Sequence, residues 1–377
     1  MIHQIFKNRP LITPYWQSNF KHLLRFSIVW VILFACTANV CNSFFIKWGF
    51  RDDSRYASLV GVIDGSAYQP YVYRSAVPRL ADMAVQHLPA EKQEQLFHRI
   101  ISSDKLKNHF FHDIPAEQWT PRVALDYHLM YGLTLLSFLI TLIYLRKIFL
   151  HFSSSYSASI LAVVLFSLMY PLTFKRGGYF YDFFELLGIT VSTFYFLTNR
   201  KLLASVLLML TAFNKETAFV AAFGFFFLHS KDYPMQKRVA YFALQFIACF
   251  LIREWIIAPY TGNTDTALHF HLLDNAKFWL NPVNYFKLSD FYTLGLFSPT
   301  IQNVLVLPWL VYWIRAGWQQ MDDMLKHYTL GIFIPNLLLF LNFTTKDEFR
   351  NFSLSMIALY IVLIHGFSPF RQWLDQK

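Results

Sequence analysis

Long apolar runs separated by short polar or basic stretches set the rhythm of this chain. Eight of them, at about 24–46, 125–145, 158–174, 183–198, 239–259, 294–314, 328–343 and 352–367, approach the length of a membrane-crossing helix. About 20 apolar residues in a helix cover the hydrocarbon core of a bilayer. A ninth run, from Leu202 to Leu228, is interrupted by Asn214, Lys215 and Glu216. As one helix it would measure about 40 Å against a core of about 30 Å. Both of its flanks are basic, "NRK" before it and Lys231, Lys237 and Arg238 after it, and basic loops mark the cytoplasmic side. The run therefore predicts a re-entrant hairpin, 202–230, whose two short helices meet at the polar triplet. Irregular backbone at such a tip is tolerated only where protein or a wet cavity surrounds it. The expected fold is all-α, a polytopic transmembrane helix bundle of about eight full spans plus the hairpin, in one transmembrane domain covering 1–377.

The first loop, 47–124, is long and is expected on the outside. Its stretch "LPAEKQEQLFHRIISSDKLKNHFFHDIP" is charged and amphipathic, which predicts short helices at the membrane surface. Lys7, Arg9, Lys21 and Arg25 flank the first span, Arg146 and Lys147 end the second, and Arg200 and Lys201 follow the fourth. That pattern places both termini in the cytoplasm of a multi-pass protein, read as residing in a cell inner membrane. The first run is read as a retained helix, because no small-residue cleavage site follows it.

Composition agrees. Of 377 residues 55% are hydrophobic and only 15% are charged, where a soluble domain carries about a quarter. The net charge of +10 is absorbed by the topology signal, and no basic stripe suited to nucleic acid is present. Cys36, Cys41 and Cys249 lie in apolar segments and form no disulfide framework.

Ionisable residues near membrane depth are costly, so each is a functional hypothesis. Four clusters are expected toward the external side. The first holds Arg51, Asp52, Asp53, Arg55, Asp64 and Arg74, and the second Lys175, Arg176, Asp182 and Glu185. The third combines Lys215 and Glu216 with Arg253 and Glu254, and the fourth is Lys346, Asp347, Glu348 and Arg350. Simpler roles exist for most of them. Loop charges such as Lys346 and Glu348 are commonly solvated, Arg253–Glu254 reads as a snorkelling pair, and Asp182 with Glu185 suits the start of a helix. Lys215 and Glu216 have no interface in reach, and unpaired burial costs several kcal/mol.

A cavity lined by carboxylates and cations under an aromatic loop suits a phosphate-bearing lipid and a polar acceptor. Inverting transfer from a sugar phosphate needs a carboxylate to take the acceptor's proton, and cations to hold the departing phosphate. Asp52, Asp53 or Asp64 is the candidate base, and Arg74, Lys215 and Arg253 form the candidate clamp. Arg176, Asp182, Asn214 and Glu216 complete the polar lining, and Tyr68, Tyr71 and Tyr73 offer stacking faces for a sugar ring. An adjacent carboxylate pair such as Asp52–Asp53 can take a divalent cation, Mg or Mn, but no third ligand stands nearby and no metal site is assigned.

The acidic pair just beyond the first helix, the long first external loop with amphipathic helices and the helix number resemble the GT-C glycosyltransferase superfamily. The stretches "PYVYRSAVP", "YFYDFFELL" and "FNKETAF" also look like the Y-R-x-x-x-P, Y-D and N-R/K-E-T signatures of a bacterial membrane-protein group with this architecture, across roughly 50–255. The resemblance implies a polyprenyl-phosphate-linked sugar donor, a glycan, lipid or protein acceptor, and an acidic base in the first loop, where Asp52 and Asp53 stand. The chain departs from oligosaccharyltransferases in lacking their C-terminal extracytoplasmic domain and WWD-type motif. The main rival is a transporter or flippase for a polar or lipid-linked substrate, since broken helices with charged tips are typical of secondary transporters. An O-antigen polymerase or ligase and a non-catalytic assembly protein complete the alternatives.

Overall fold

The computed structural model describes residues 14–54, 56–101, 105–175, 177–229, 233–261, 269–288, 295 and 297–367. Among them the chain is all-α. Helix α1 (Pro14–Trp48) leads into the first loop, which carries α2 (Leu59–Asp64), α3 (Ala76–Gln86), α4 (Ala90–Ile101) and α5 (Lys105–Phe110). Then follow α6 (Pro121–Phe152), α7 (Tyr156–Met169), α8 (Tyr181–Leu197), α9 (Lys201–Asn214) and α10 (Ala221–Leu228). The remainder is α11 (Met235–Ile257), α12 (Leu272–Leu280), α13 (Ile301–Gln320), α14 (Asp323–Phe343) and α15 (Ser353–Gly366).

Among the described residues, six helical segments are long and apolar enough to cross a membrane: Leu23–Trp48, Pro121–Phe152, Tyr156–Thr173, Met235–Tyr260, Asp323–Phe343 and Phe349–Gly366. Two expected spans are not among them. Helix α8 has 17 residues, and α13 intersperses Gln302, Asn303, Arg315, Gln319 and Gln320 among its apolar positions. Helix α13 also starts later than the expected 294. Phe297 sits at φ 58°, and Pro299 disfavours helical geometry in the residue before it, so the helix begins only at Ile301. The short helices expected over the charged amphipathic stretch of the first loop are α4 and α5, and α4 packs on α6.

Helix α8 is the spine of the core. It packs on α6, α9 and α15, and nearly all of its faces are buried. The approach of α9 is close because α8 offers Gly188, where a Cβ would lie 2.0 Å from Thr211 Oγ1. Small residues at such crossings let backbones come together and gain packing energy in an apolar surround.

The interrupted run breaks at Lys215, whose backbone is extended at φ −151° and ψ 123°. A 3₁₀ segment, Glu216–Val220, leads into α10. The outer ends of the two arms then share one neighbourhood. Lys201, at the start of α9, places Nζ 4.0 Å from the Tyr233 ring centroid, beyond the end of α10. Phe225 of α10 meets Phe196, near the end of α8, at 4.1 Å between centroids. Gln245 of α11 donates to Ser205 Oγ at 2.7 Å.

Candidate functional site

At the opposite end of α8, the first turn presents Asp182 and Glu185, both fully buried. They are spaced three residues apart, so they stand one above the other on one face. Lys215 reaches both, with Nζ 3.0 Å from Asp182 Oδ1 and 2.7 Å from Glu185 Oε2. Thr217 Oγ1 donates to Glu185 Oε1 at 3.1 Å, and Ser353 Oγ donates to Glu185 Oε2. Asn214 Nδ2 donates to the Tyr181 carbonyl at 2.8 Å. Asn214 and Lys215 are therefore answered by α8, and Glu216 by Arg74 of the first loop, which is why the helix can break there.

The network extends on two sides. Arg350 Nη1 lies 3.3 Å from Asp182 Oδ2, and its Nε donates to Glu348 at 3.0 Å. Arg74, from the first loop, grips Glu216 through Nε, at 3.1 Å, and through Nη2. Its Nη1 donates to Tyr181 Oη at 2.8 Å. Lys175 Nζ pairs with Asp347 at 2.8 Å. Arginine suits these places because its planar fork meets both carboxylate oxygens at once.

An aromatic ladder joins the parts. Tyr71 stacks on Tyr179 with centroids 5.0 Å apart, and Tyr179 stacks on Tyr181 at 5.1 Å. Arg350 lies 4.2 Å and Arg51 5.0 Å from the Tyr179 centroid, while Arg74 lies 4.6 Å from that of Tyr181. The turn that delivers these tyrosines needs its glycines. Gly177 has φ 146°, where only glycine is comfortable, and a Cβ on Gly178 would meet Phe44 and Trp48 at 2.7 Å.

Arg51 sits at the rim, its backbone left-handed at φ 65°. Its Nε is 2.9 Å from Asp53 Oδ1, and Asp53 is half exposed. Asp52 faces another way. Its Oδ1 accepts from Tyr127 Oη at 2.6 Å, and Tyr127 is boxed by Phe50, Phe111 and Trp119. Burial pushes the Asp52 carboxyl up to about 6, helped by Asp113 and Asp53 and opposed by hydrogen bonds from Tyr127 and the Leu59 backbone.

The sequence-predicted residues thus divide. Tyr71, Arg74, Asp182, Asn214, Lys215 and Glu216 form one connected network. Asp53 joins it through Arg51 and the Tyr179 ring. Tyr73 is buried beside the network, 6.0 Å from the Tyr260 centroid. Asp64 stands apart, exposed, its Oδ1 accepting the Ser66 N–H at 2.8 Å in a local turn. Arg253, partly exposed, pairs with its exposed neighbour Glu254, as a snorkelling pair does. Arg176 lies outside the described residues. Asp52 and Asp53 are held by different partners, and among the described residues no group of three or more His, Cys, Asp or Glu is placed to hold a metal ion.

Several members were not named as site residues. Glu348 is not solvated but is tied to Arg350. Tyr179, Tyr181, Thr217 and Ser353 gave no charge signal, although the i, i+3 spacing of Arg350 and Ser353 puts both on one helical face. Comparison with protein-family models, with curated proteins and with solved structures finds no match in any of the three.

Proposed function

We propose that this chain is a multi-pass membrane glycosyltransferase of GT-C type, moving a sugar from a polyprenyl-phosphate donor to a glycan, lipid or protein acceptor on the extracytoplasmic face. The observation that carries the reading is Asp52, a part-buried carboxyl just beyond α1 whose proton affinity is raised to about 6. A general base works best when its pKa lies near the operating pH. Asp52 takes the acceptor's proton as the acceptor oxygen attacks the anomeric carbon and the bond to the donor phosphate breaks. Arg51 is the neighbouring cation whose carboxylate partner is exposed, so it is the one free to turn toward the departing phosphate. Arg74 and Lys215, locked to carboxylates, position the floor, and Tyr71 and Tyr73 flank the sugar.

In this reading eight spans and the re-entrant hairpin 202–230 lie in a cell inner membrane. The first loop is outside and both termini are cytoplasmic. The test is transfer in proteoliposomes supplied with a polyprenyl-phosphate sugar. Asp52→Asn should lower the rate at least 100-fold, the range general-base catalysis spans, while donor binding stays within twofold. Full activity in that variant removes the base and with it the proposal.

A second reading, a transporter or flippase, draws on a different observation: the break at Lys215 with its buried ion pairs to Asp182 and Glu185. Donor movement across the same liposomes without transfer would decide for it.

A further inference from the structure

We infer that Lys147 and Arg200, with Tyr144 and Tyr195, form a binding site for the phosphate of an anionic phospholipid at the end of the bundle opposite Lys215. The inference does not rest on the transferase reading or on which side of the membrane this end faces.

The cluster is contiguous and built from two elements. Tyr144 and Lys147 stand one helical turn apart on α6, and Lys147 Nζ lies 4.3 Å from the Tyr144 centroid and 5.7 Å from that of Phe194. Tyr144 meets Phe194 at 5.3 Å and Tyr195 at 6.0 Å between centroids. Arg200 is brought back over α8 by the turn that ends it. Asn199 adopts the left-handed conformation at φ 62°, and the Arg200 N–H donates to the Tyr195 carbonyl at 2.8 Å. Asparagine is one of the few residues that takes this cap geometry readily. The result leaves the Arg200 guanidinium 5.9 Å from the Tyr195 centroid.

What distinguishes this cluster is that, among the described residues, no carboxylate pairs with its cations. At the other end of α8, Arg51, Arg74, Lys175, Lys215 and Arg350 each meet a carboxylate. Among the described residues neither Lys147 nor Arg200 does, and their neighbour Arg146 has only the Tyr156 ring, at 4.4 Å. The oxygens present are two phenols, hydrogen-bonded to each other at 3.0 Å. In such a pair one phenol spends its proton on the other, and the second still has a proton to donate. Two cations and one remaining O–H call for a multi-oxygen anion, and phosphate is the one that a membrane supplies.

The phosphate could come from a lipid or from solution, and the surroundings favour the lipid. Helix α9 starts directly after Arg200 and exposes Leu203, Val206 and Leu210 along one side. That spacing of three and four residues makes one apolar track leading away from the cations, where acyl chains can lie.

The experiment uses the full-length protein in detergent, with dioleoyl phosphatidylglycerol and dioleoyl phosphatidylcholine as probes and retained lipid read by native mass spectrometry. Wild type should prefer phosphatidylglycerol about thirtyfold, which corresponds to about 1 kcal/mol for each of two basic residues. Lys147→Ala/Arg200→Ala should bring the ratio near one, and Lys92→Ala/Lys107→Ala, in the first loop, should leave it unchanged. Equal retention of the two lipids by wild type overturns the inference without any variant. An intact preference in the Lys147/Arg200 variant overturns it as well. Displacement of phosphatidylglycerol by millimolar inorganic phosphate overturns the lipid assignment. If the double alanine variant is poorly folded, Tyr144→Phe/Tyr195→Phe replaces it, and the preference should fall severalfold.

Discussion

Lys215 is bound to Glu185 at 2.7 Å across the gap between a broken helical run and the first turn of α8. With Asp182, which Arg350 also meets at 3.3 Å, the pair becomes a buried network in which two cations serve two carboxylates. Such groups tolerate exchange for apolar residues as a set far better than the loss of one member, because a lone buried charge has nothing to replace its hydration.

Lys215→Met should therefore destabilise the protein by about 3–5 kcal/mol, and Lys215→Met with Glu185→Gln and Asp182→Asn should recover much of it. Thermal unfolding in detergent measures both. A triple variant no more stable than the single one would show that the network's worth is not electrostatic.

How much of this was legible in the sequence follows from what each residue type signals. Charge inside an apolar run is visible at any distance, so Lys215, Glu216 and Asp182 were found, and so was the break, since Asn214 to Glu216 interrupt an otherwise unbroken pattern. The partner of each charge was not visible. Pairing joins positions such as Arg74 and Glu216, 142 residues apart, and no periodicity encodes that. Aromatic residues are too common here, with 41 Phe and 21 Tyr, for Tyr179 or Tyr181 to stand out. The start of α13 was misplaced because apolar content alone carried the expectation, and Pro299 was given no weight. Arg253 was drawn into the clamp by charge, yet a residue at a helix end can reach solvent and pair with its neighbour.

Arg74 offers a test of geometry against charge. Its guanidinium uses three nitrogens, two on Glu216 and one on Tyr181. Lysine retains the charge but offers no fork, so Arg74→Lys should cost about 1.5–3 kcal/mol, the worth of a hydrogen bond to a charged group. Arg74→Met also strands Glu216 and should cost about 3–5 kcal/mol. Equal losses in the two unfolding curves would mean that charge alone matters here.

The proposed re-entrant hairpin is checked by single cysteines at Asn199 and Gln236, which precede α9 and open α11. A membrane-impermeant maleimide should label both in inverted vesicles, where the cytoplasmic face is outside, and neither in right-side-out vesicles. The contacts of Lys201 with Tyr233 and of Phe196 with Phe225 are the basis of that expectation. Labelling from opposite sides would turn the run into a true span and invert every later loop.

Asp52 couples the proposed chemistry to stability with a definite sign. Its carboxyl is raised from the ordinary 3.8 to about 6, chiefly by burial. The folded state thus binds the proton more tightly than the unfolded one, so stability grows as pH falls through 6 toward 3.8. At neutral pH the charged form is a liability of up to about 3 kcal/mol. Asp52→Asn keeps an oxygen to accept from Tyr127 and removes the charge. The variant should therefore unfold at a higher temperature than wild type at about pH 8, with the advantage gone by about pH 4. In the wild type, transfer should rise as pH passes through about 6 and then level off, as the base loses its proton. Melting curves across this range, read beside the rate profile, separate the two roles. A variant that gains stability while losing transfer is the signature of a carboxylate kept for chemistry at the expense of the fold. A variant that loses stability equally at both ends of the range would show that Asp52 serves only to hold Tyr127.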